Sequence, residues 1–254
     1  MHTKFKIAGA AVIGRNHESK GIPLQDKVFS FRSKNQKEAI IALADGAGSC
    51  AYSHIGAEIV TSKIGNIILN NFEDIFKDLD WAKSFIYEKL LKFLQEYTLS
   101  KNVNLNELAS TLLFSVVKEK KKEVEYIAGH IGDGIIIKYE DGNVKILSYP
   151  DNYEFSNYTF FVTSNDTLEH FRIYRGKFVS DEGFILISDG TAKSLYKKTD
   201  KSLAPACNLI FKWCDSYRQN TVSKVLKSNL QNIFRLNTFD DCSIAILKRM
   251  KKRI

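Results

Sequence analysis

Apolar residues along this chain fall into two rhythms. Short apolar runs near 5–14, 27–32, 39–44, 111–119, 122–129, 134–140, 143–148, 158–163, 184–188 and 242–248 are bounded by turn-forming residues and read as β-strands. Longer stretches at 52–71, 80–98, 203–217 and 220–234 repeat apolar residues every three or four positions and read as amphipathic helices. In the first, Ile55, Ile59, Ile64 and Ile68 fall near one face; in the second, Trp81, Phe85, Leu90, Leu91 and Leu94 form a stripe between Lys and Glu, as a core-facing helix does. Strands outnumber helices and several adjoin as hairpins. The expected fold is therefore α+β, with largely antiparallel sheets and long helices packed outside them.

The ends of these strands carry a second pattern. Asp-Gly occurs four times, and as a common turn dipeptide it means little by itself. Asp141-Gly142 lies between "IIIKYE" and "NVKILS", the setting of a tight type I′ hairpin. Asp45-Gly46 instead ends a buried run and leads into a helix, Asp189-Gly190 ends "GFILIS" before a helix or loop, and Asp133-Gly134 sits between two strand-like pieces. Asp26 precedes one strand, and Asp240 with Asp241 precede another. A sheet that gathered these ends would concentrate negative charge, a costly arrangement unless cations neutralise it. Oxygen donors alone suit Mg²⁺ and Mn²⁺, whereas Zn²⁺ would draw on His or Cys.

Composition narrows the setting. With 254 residues, 44% of them hydrophobic, and only three Pro, the chain reads as one domain with a basic tail at about 249–254. No run of about 18 apolar residues is present to span a membrane, and "MHTKFKIAGAAVIG" reads as a first strand broken by Gly9 rather than a secretory leader. Four Cys (50, 207, 214 and 242) without pairing or metal spacing fit a reducing cytoplasm, with Cys207 and Cys214 as helix core. The net charge of +8 is concentrated in "KRMKKRI", read as a solubilising tail, and "KEKKKE", read as a solvated hairpin tip. A basic surface around an acidic site would also draw in phosphorylated, acidic substrates, and nucleic acid is not an expected partner.

Taken in order, "PLQD" (23–26), "LADGAGS" (43–49), "STLL" (110–113), "HIGDG" (130–134), "LISDG" (186–190) and "FDDCSIAIL" (239–247) resemble the metal-dependent protein serine/threonine phosphatases of type 2C. The bacterial stand-alone subgroup, with a Gly-x-x-His element before Gln-Asp, is matched by "GRNHESKGIPLQD". The resemblance implies a central antiparallel β-sandwich flanked by helices on both sides, in four layers α-β-β-α. It further implies that Asp45 bridges two Mn²⁺ or Mg²⁺ ions, that Gly46 offers one of them its carbonyl and that Asp26 helps hold the same ion. Asp189 and Asp240 hold the other, and Asp133 is tied to a third, weaker ion. The implied reaction is in-line hydrolysis of phosphoserine or phosphothreonine in proteins by a metal-bridging water. A cognate serine/threonine kinase is an implied partner, and the chain is expected to act as a monomer.

One departure matters: five residues before Asp26, where relatives carry a phosphate-binding Arg, this chain has Gly21. Arg15 and His17 are the available substitutes, and His17 is the candidate phosphate ligand or general acid. Gln25 stands in place of Glu, Asp241 in place of Asn, and Gly134 follows Asp133 in place of Ser. Of the aromatic residues between 148 and 178 (Tyr149, Tyr153, Phe155, Tyr158, Phe160, Phe161, Phe171, Tyr174), most are expected in the core and part at the edge of a substrate groove. The alternatives are a catalytically silent binding module of the same fold and a metal-dependent nuclease.

Overall fold

The computed structural model describes residues 4–121, 123–151, 159–179 and 181–250. In chain order its elements are β1 (Lys4–Val12), α1 (Arg15–Lys20), β2 (Lys27–Arg32), β3 (Glu38–Ala44), α2 (Ser53–Asn70), α3 (Phe72–Lys77), α4 (Leu79–Lys101), β4 (Leu112–Lys120), β5 (Glu123–Ile131) and β6 (Ile135–Glu140). They continue with β7 (Asn143–Ser148), α5 (Thr167–His170), β8 (Arg172–Phe178), β9 (Gly183–Ile187), α6 (Asp189–Leu195), β10 (Tyr196–Lys197), β11 (Ser202–Leu203), α7 (Ala206–Ser216), α8 (Gln219–Asn232) and β12 (Cys242–Met250). Single 3₁₀ turns cover Leu105–Leu108 and Phe234–Asn237.

Two five-stranded sheets carry the fold, ordered β1-β12-β9-β6-β7 and β2-β3-β4-β5-β8, and every strand pair in them is antiparallel. Their strands alternate between two apolar environments. In β3, Ala39, Ile41 and Leu43 face the other sheet, while Ile40, Ala42 and Ala44 pack with α2 and α4. The second sheet does the same, with Phe184 and Leu186 turned inward and Ile185 and Ile187 turned toward α7 and α8. Because both faces are buried, these strands read as unbroken apolar runs. Three core clusters separate four layers, and the α-β-β-α arrangement is the expected one.

Asp141 and Gly142 both take positive φ (52° and 83°) between β6 and β7, as a type I′ turn requires. Cys207 and Cys214 are buried in α7, and all four cysteines are free. Elsewhere the expectations need correcting. No strand forms over 159–163, where the chain runs irregularly into a turn; residue 158, with Tyr153 and Phe155, lies outside the described residues. In α4 the buried face is Ala82, Ile86, Leu90 and Leu94, at a spacing of four, whereas Trp81 is exposed and stacks on Phe85 at 4.6 Å. The basic C-terminal run is not all tail: β12 continues through Met250, and Lys248 is fully buried, with Nζ 2.7 Å from both Asp215 oxygens. Residues 251–254 lie outside the described residues. At the β4–β5 hairpin, Lys120 pairs with Glu73 of α3 and with Glu125 (2.8 Å), so part of that charge is tethered.

The β5–β6 connection is held from inside. Buried His130 places Nε2 2.9 Å from the Gly132 carbonyl and Nδ1 2.7 Å from Ser148 Oγ, which also accepts from Tyr174 OH at 3.1 Å. A carbonyl only accepts, so Nε2 carries the proton and Nδ1 accepts from Ser148. Burial, with the Arg172 charge adding to it, holds His130 well below the usual histidine range. Folding therefore excludes a proton that the unfolded chain binds, and the associated stability is present above pH 6.5 and lost as pH falls. Measured by urea denaturation as a difference from His130→Gln, the wild type should lose about 1.4 kcal/mol per pH unit below 6.5. A difference that does not vary between pH 7.5 and 5 would contradict this account.

Candidate active site

The strand registers bring the carboxylates to one end of the sandwich. Lys27 pairs with Ala44, so the next step of that register sets Asp26 opposite Asp45. Asp26 follows the inward parity of Val28, and Asp45 that of Ile41 and Leu43, so both belong to the gap between the sheets. In the other sheet Ile135 and Ile244 both pair with Ile187, which draws Asp133, Asp189 and the 240–241 segment to the same end. There a cleft of about 390 Å³ is lined by residues including His17, Lys20, Asp45, Gly46, Asp133, Asp189, Phe239 and Asp240.

The backbone around Asp45 is locked. Thr111 Oγ1 accepts from Asp45 N at 2.9 Å, Thr111 N donates to Asp45 O at 2.8 Å, and Ala47 N donates to Ala109 O at 2.9 Å. These bonds flank the isolated Gly46–Ser110 bridge, so the peptide groups of Gly46 itself turn away from the ladder. Close approach fixes the opposite wall. A Cβ on Gly14 would stand 2.3 Å from the Asp240 carbonyl carbon, and one on Gly190 would stand 2.1 Å from the Asp241 carbonyl oxygen.

Electrostatics follow from this crowding. Asp26 is fully buried, and burial first, then the Asp241 charge, pushes it up to about 8. Ser243 and Ser188 pull it down in part, yet neither Asp26 oxygen has a well-aligned hydrogen-bond partner. Asp45 is raised well above the ordinary carboxylate range by burial, then by Asp26, Asp189, Asp133 and Asp240. Burial, with Asp133 and Asp240, pushes Asp189 up to about 6, and its Oδ1 is buried without a partner. Asp133 is raised chiefly by burial, against a 2.7 Å hydrogen bond from Thr159 Oγ1 to its Oδ2. Among the described residues no three His, Cys, Asp or Glu side chains stand as a ready-made metal cage. The donor set nonetheless fits hard divalent cations: buried carboxylate oxygens without hydrogen-bond donors, beside one another, lack only positive charge.

Similarity to known proteins bears on the family and the fold. The sequence profile described as Protein phosphatase 2C matches residues 13–231. The chain belongs to the protein phosphatase 2C family. Solved structures share the fold of this phosphatase 2C chain at low identity. The S. agalactiae serine/threonine phosphatase superposes with a TM-score of 0.64 at 13% identity, covering 96% of this chain and 98% of that one. The catalytic domain of the serine threonine protein phosphatase PstP, solved with two manganese ions, gives 0.62 at 13% identity over 98% and 100%. PppA, a regulatory component of the T6SS in Pseudomonas aeruginosa, gives 0.61 at 14% over 97% and 98%. A curated relative, the lipoprotein-releasing system ATP-binding protein LolD of Ehrlichia canis (strain Jake), is 28% identical over 134 residues, 49% of this chain. The match spans just over half (57%) of that relative's length.

Of the site residues expected in this phosphatase 2C chain, His17, Asp45, Gly46, Asp133, Asp189 and Asp240 line the cleft, and Asp26 lies buried behind Asp45. Arg15 does not line it. Its Nε and Nη2 donate to the Thr238 carbonyl at 3.1 and 3.0 Å, Nη2 also reaches the Leu236 carbonyl at 3.3 Å, and the guanidinium lies 4.5 Å over the Phe239 ring. Thr159 and Phe161 reach the cleft, so part of the aromatic segment does border it, whereas Phe171 is core.

Sequence reasoning missed Lys20, which stands three residues after His17 on α1 and so shares its face, a spacing that was there to be read. It also missed Lys193, whose charge opposes the upward shifts of Asp133 and Asp189. The largest omission is the role of Asp241, which the sequence places only as a strand-end acid standing in place of Asn. Its Oδ1 accepts from Gly14 N at 2.6 Å, and its Oδ2 accepts from Gln25 N at 2.7 Å and Asp26 N at 3.4 Å. The same Oδ1 lies 3.0 Å from His17 Nδ1, off the line of a well-aligned hydrogen bond. One buried carboxylate thus joins the start of α1, the entry to β2 and the entry to β12.

Raised carboxylates stabilise the metal-free fold below their unfolded value of 3.8 and lose that contribution as pH rises through the folded values, about 6 for Asp189 and about 8 for Asp26. Asp26→Asn should therefore stabilise the metal-free protein at pH 8, by about 1–3 kcal/mol, and flatten its stability between pH 4 and 8. Chemical denaturation with chelator present measures both, and a destabilised, equally pH-sensitive variant would contradict the assignment. Asp241→Ala should destabilise by about 2–4 kcal/mol in the same assay, since it strands buried amide donors.

Proposed function

We propose that this chain is a divalent-metal-dependent phosphomonoesterase that removes phosphate from phosphoserine and phosphothreonine in proteins. The observation that carries this reading is the set of buried, unpartnered oxygens on Asp26 and Asp189 beside Asp45, an acceptor cluster at the mouth between two sheets. Mg²⁺ or Mn²⁺ would be held by Asp45 and the Gly46 carbonyl with Asp26, by Asp189 and Asp240 at a second position, and by Asp133 at a weaker third. Bound there, the cations supply a water of lowered pKa and neutralise the phosphate. That PstP was solved with two manganese ions supports the first two positions.

The residues of the chain supply position and protons. Asp241 Oδ1 beside Nδ1 favours a proton on that nitrogen, which leaves Nε2 of His17 on the Gly48 side of the cleft. With a second proton on Nε2, His17 would donate from there to the phosphoryl group as a ligand or to the leaving oxygen as a general acid. Lys20, on the same face of α1, adds the positive charge that Arg15, tied to Thr238 and Leu236, does not bring to the cleft. A cytoplasmic monomer working against a serine/threonine kinase fits this reading; among the described residues no helix is long and apolar enough to cross a membrane. The commitment of Arg15 elsewhere favours one second reading, a silent module of the same fold.

Hydrolysis of p-nitrophenyl phosphate separates the two. Turnover should require Mn²⁺ or Mg²⁺, stop with chelator, and fall by about 10²-fold or more in Asp45→Asn. On phosphoethanolamine, whose alkoxide leaving group needs a proton, His17→Ala should lower kcat by about 10²-fold if the ring acts as general acid, and raise KM instead if it binds phosphate. Folded protein without turnover at millimolar Mn²⁺ would establish the silent module.

A further inference from the structure

Beside the cleft, three large apolar side chains stand in water: Ile233 is 51% exposed, Leu236 61% and Phe239 69%. Isolated exposed apolar residues need no explanation, but exposed apolar residues gathered on one short segment that leads into a cleft do. Polar contacts tie the three positions to one another. Leu236 N donates to Ile233 O at 3.3 Å in the 3₁₀ turn, where residues three apart eclipse one another. Arg15 then joins Leu236 to Phe239, since its guanidinium donates to the Leu236 carbonyl and lies over the Phe239 ring. Phe239 itself lines the cleft and directly precedes Asp240.

The segment is held outward by polar ties that do not involve those side chains. Arg235 pairs with Glu18 of α1, Asn237 Nδ2 donates to Ser194 Oγ of α6 at 3.1 Å, and Asn16 N donates to the Phe239 carbonyl at 3.0 Å. With the Arg15 bonds, these fix 235–239 against both α1 and α6. An apolar surface held rigid before anything binds loses little further freedom on binding.

We propose that Phe239 and Leu236 form a docking ridge for the protein substrate, taking an apolar side chain one or two positions from the phosphorylated residue. This deepens the phosphomonoesterase reading and rests on it. A chain whose phosphorylated side chain enters the cleft must cross the rim, and at about 3.3 Å per extended residue its neighbours meet Phe239 within one or two positions. The size of the patch fits the same occupant. Three side chains fall well short of the roughly 800 Å² per partner that a stable dimer interface buries, but suffice to seat one side chain.

The test compares kcat/KM for two phosphopeptides that differ only by Leu or Ser at the flanking positions, with phosphoethanolamine as the small ester, in the Mn²⁺-loaded full chain. The wild type should favour the Leu peptide by about tenfold, as burial of one apolar side chain provides. Phe239→Ser should bring that ratio near one, and Leu236→Ser, three residues further from Asp240, should lower it. The ratio cancels damage to the chemistry that both peptides share. Turnover with no flank preference in the wild type, or a preference kept by both variants, overturns the ridge alone. Failure to hydrolyse even phosphoethanolamine overturns the underlying reading and the ridge with it.

Discussion

Repulsion among carboxylates gathered in and beneath one cleft is the interaction around which this structure is organised. Asp26 and Asp45 face each other across neighbouring strands, and Asp189, Asp133 and Asp240 crowd the same end. Ionised together and left alone, these groups would oppose folding; protons or cations relieve them. Five carboxylates survive at one end of a sandwich because the remainder of the fold, a core in three apolar clusters, is large enough to carry the strain.

Rigidity around that cluster comes from backbone, not from further charge. Thr111 pins Asp45, Gly14 and Gly190 admit the 240–241 segment at close range, and buried Asp241 takes amide hydrogens from the β1–α1 turn and the β2 entry. Asp241 thereby converts the loop at the wall of the site into a fixed surface. α1, only six residues long, then carries both His17 into the cleft and Arg15 away from it. Residues two apart on a helix point about 200° from one another, which is why Arg15 and His17 serve such different ends.

Much of this was legible in the order of residues. The strands were readable because burial on both faces leaves an apolar run between turn residues, as in β3 and β9. The strand expected over 158–163 does not form over its described part, 159–163; aromatic side chains that pack from an irregular segment look like those of a strand. The α4 face was misassigned by including Trp81, whose bulk suggested burial although its ring stacks on Phe85 at the surface. The carboxylates of the cleft were named from motif and position.

The sequence by itself determined where most strands and helices lie and which acids end the strands, because alternation and turn chemistry are local properties encoded within a few residues. Only the tertiary structure decided that Arg15 is spent on carbonyls 221 and 223 residues away, that Asp241 spans 227 residues to reach Gly14, and that Phe239 stands at the rim. Such contacts leave no periodic trace, since their partners meet through the registers of both sheets and not through neighbouring positions in the chain.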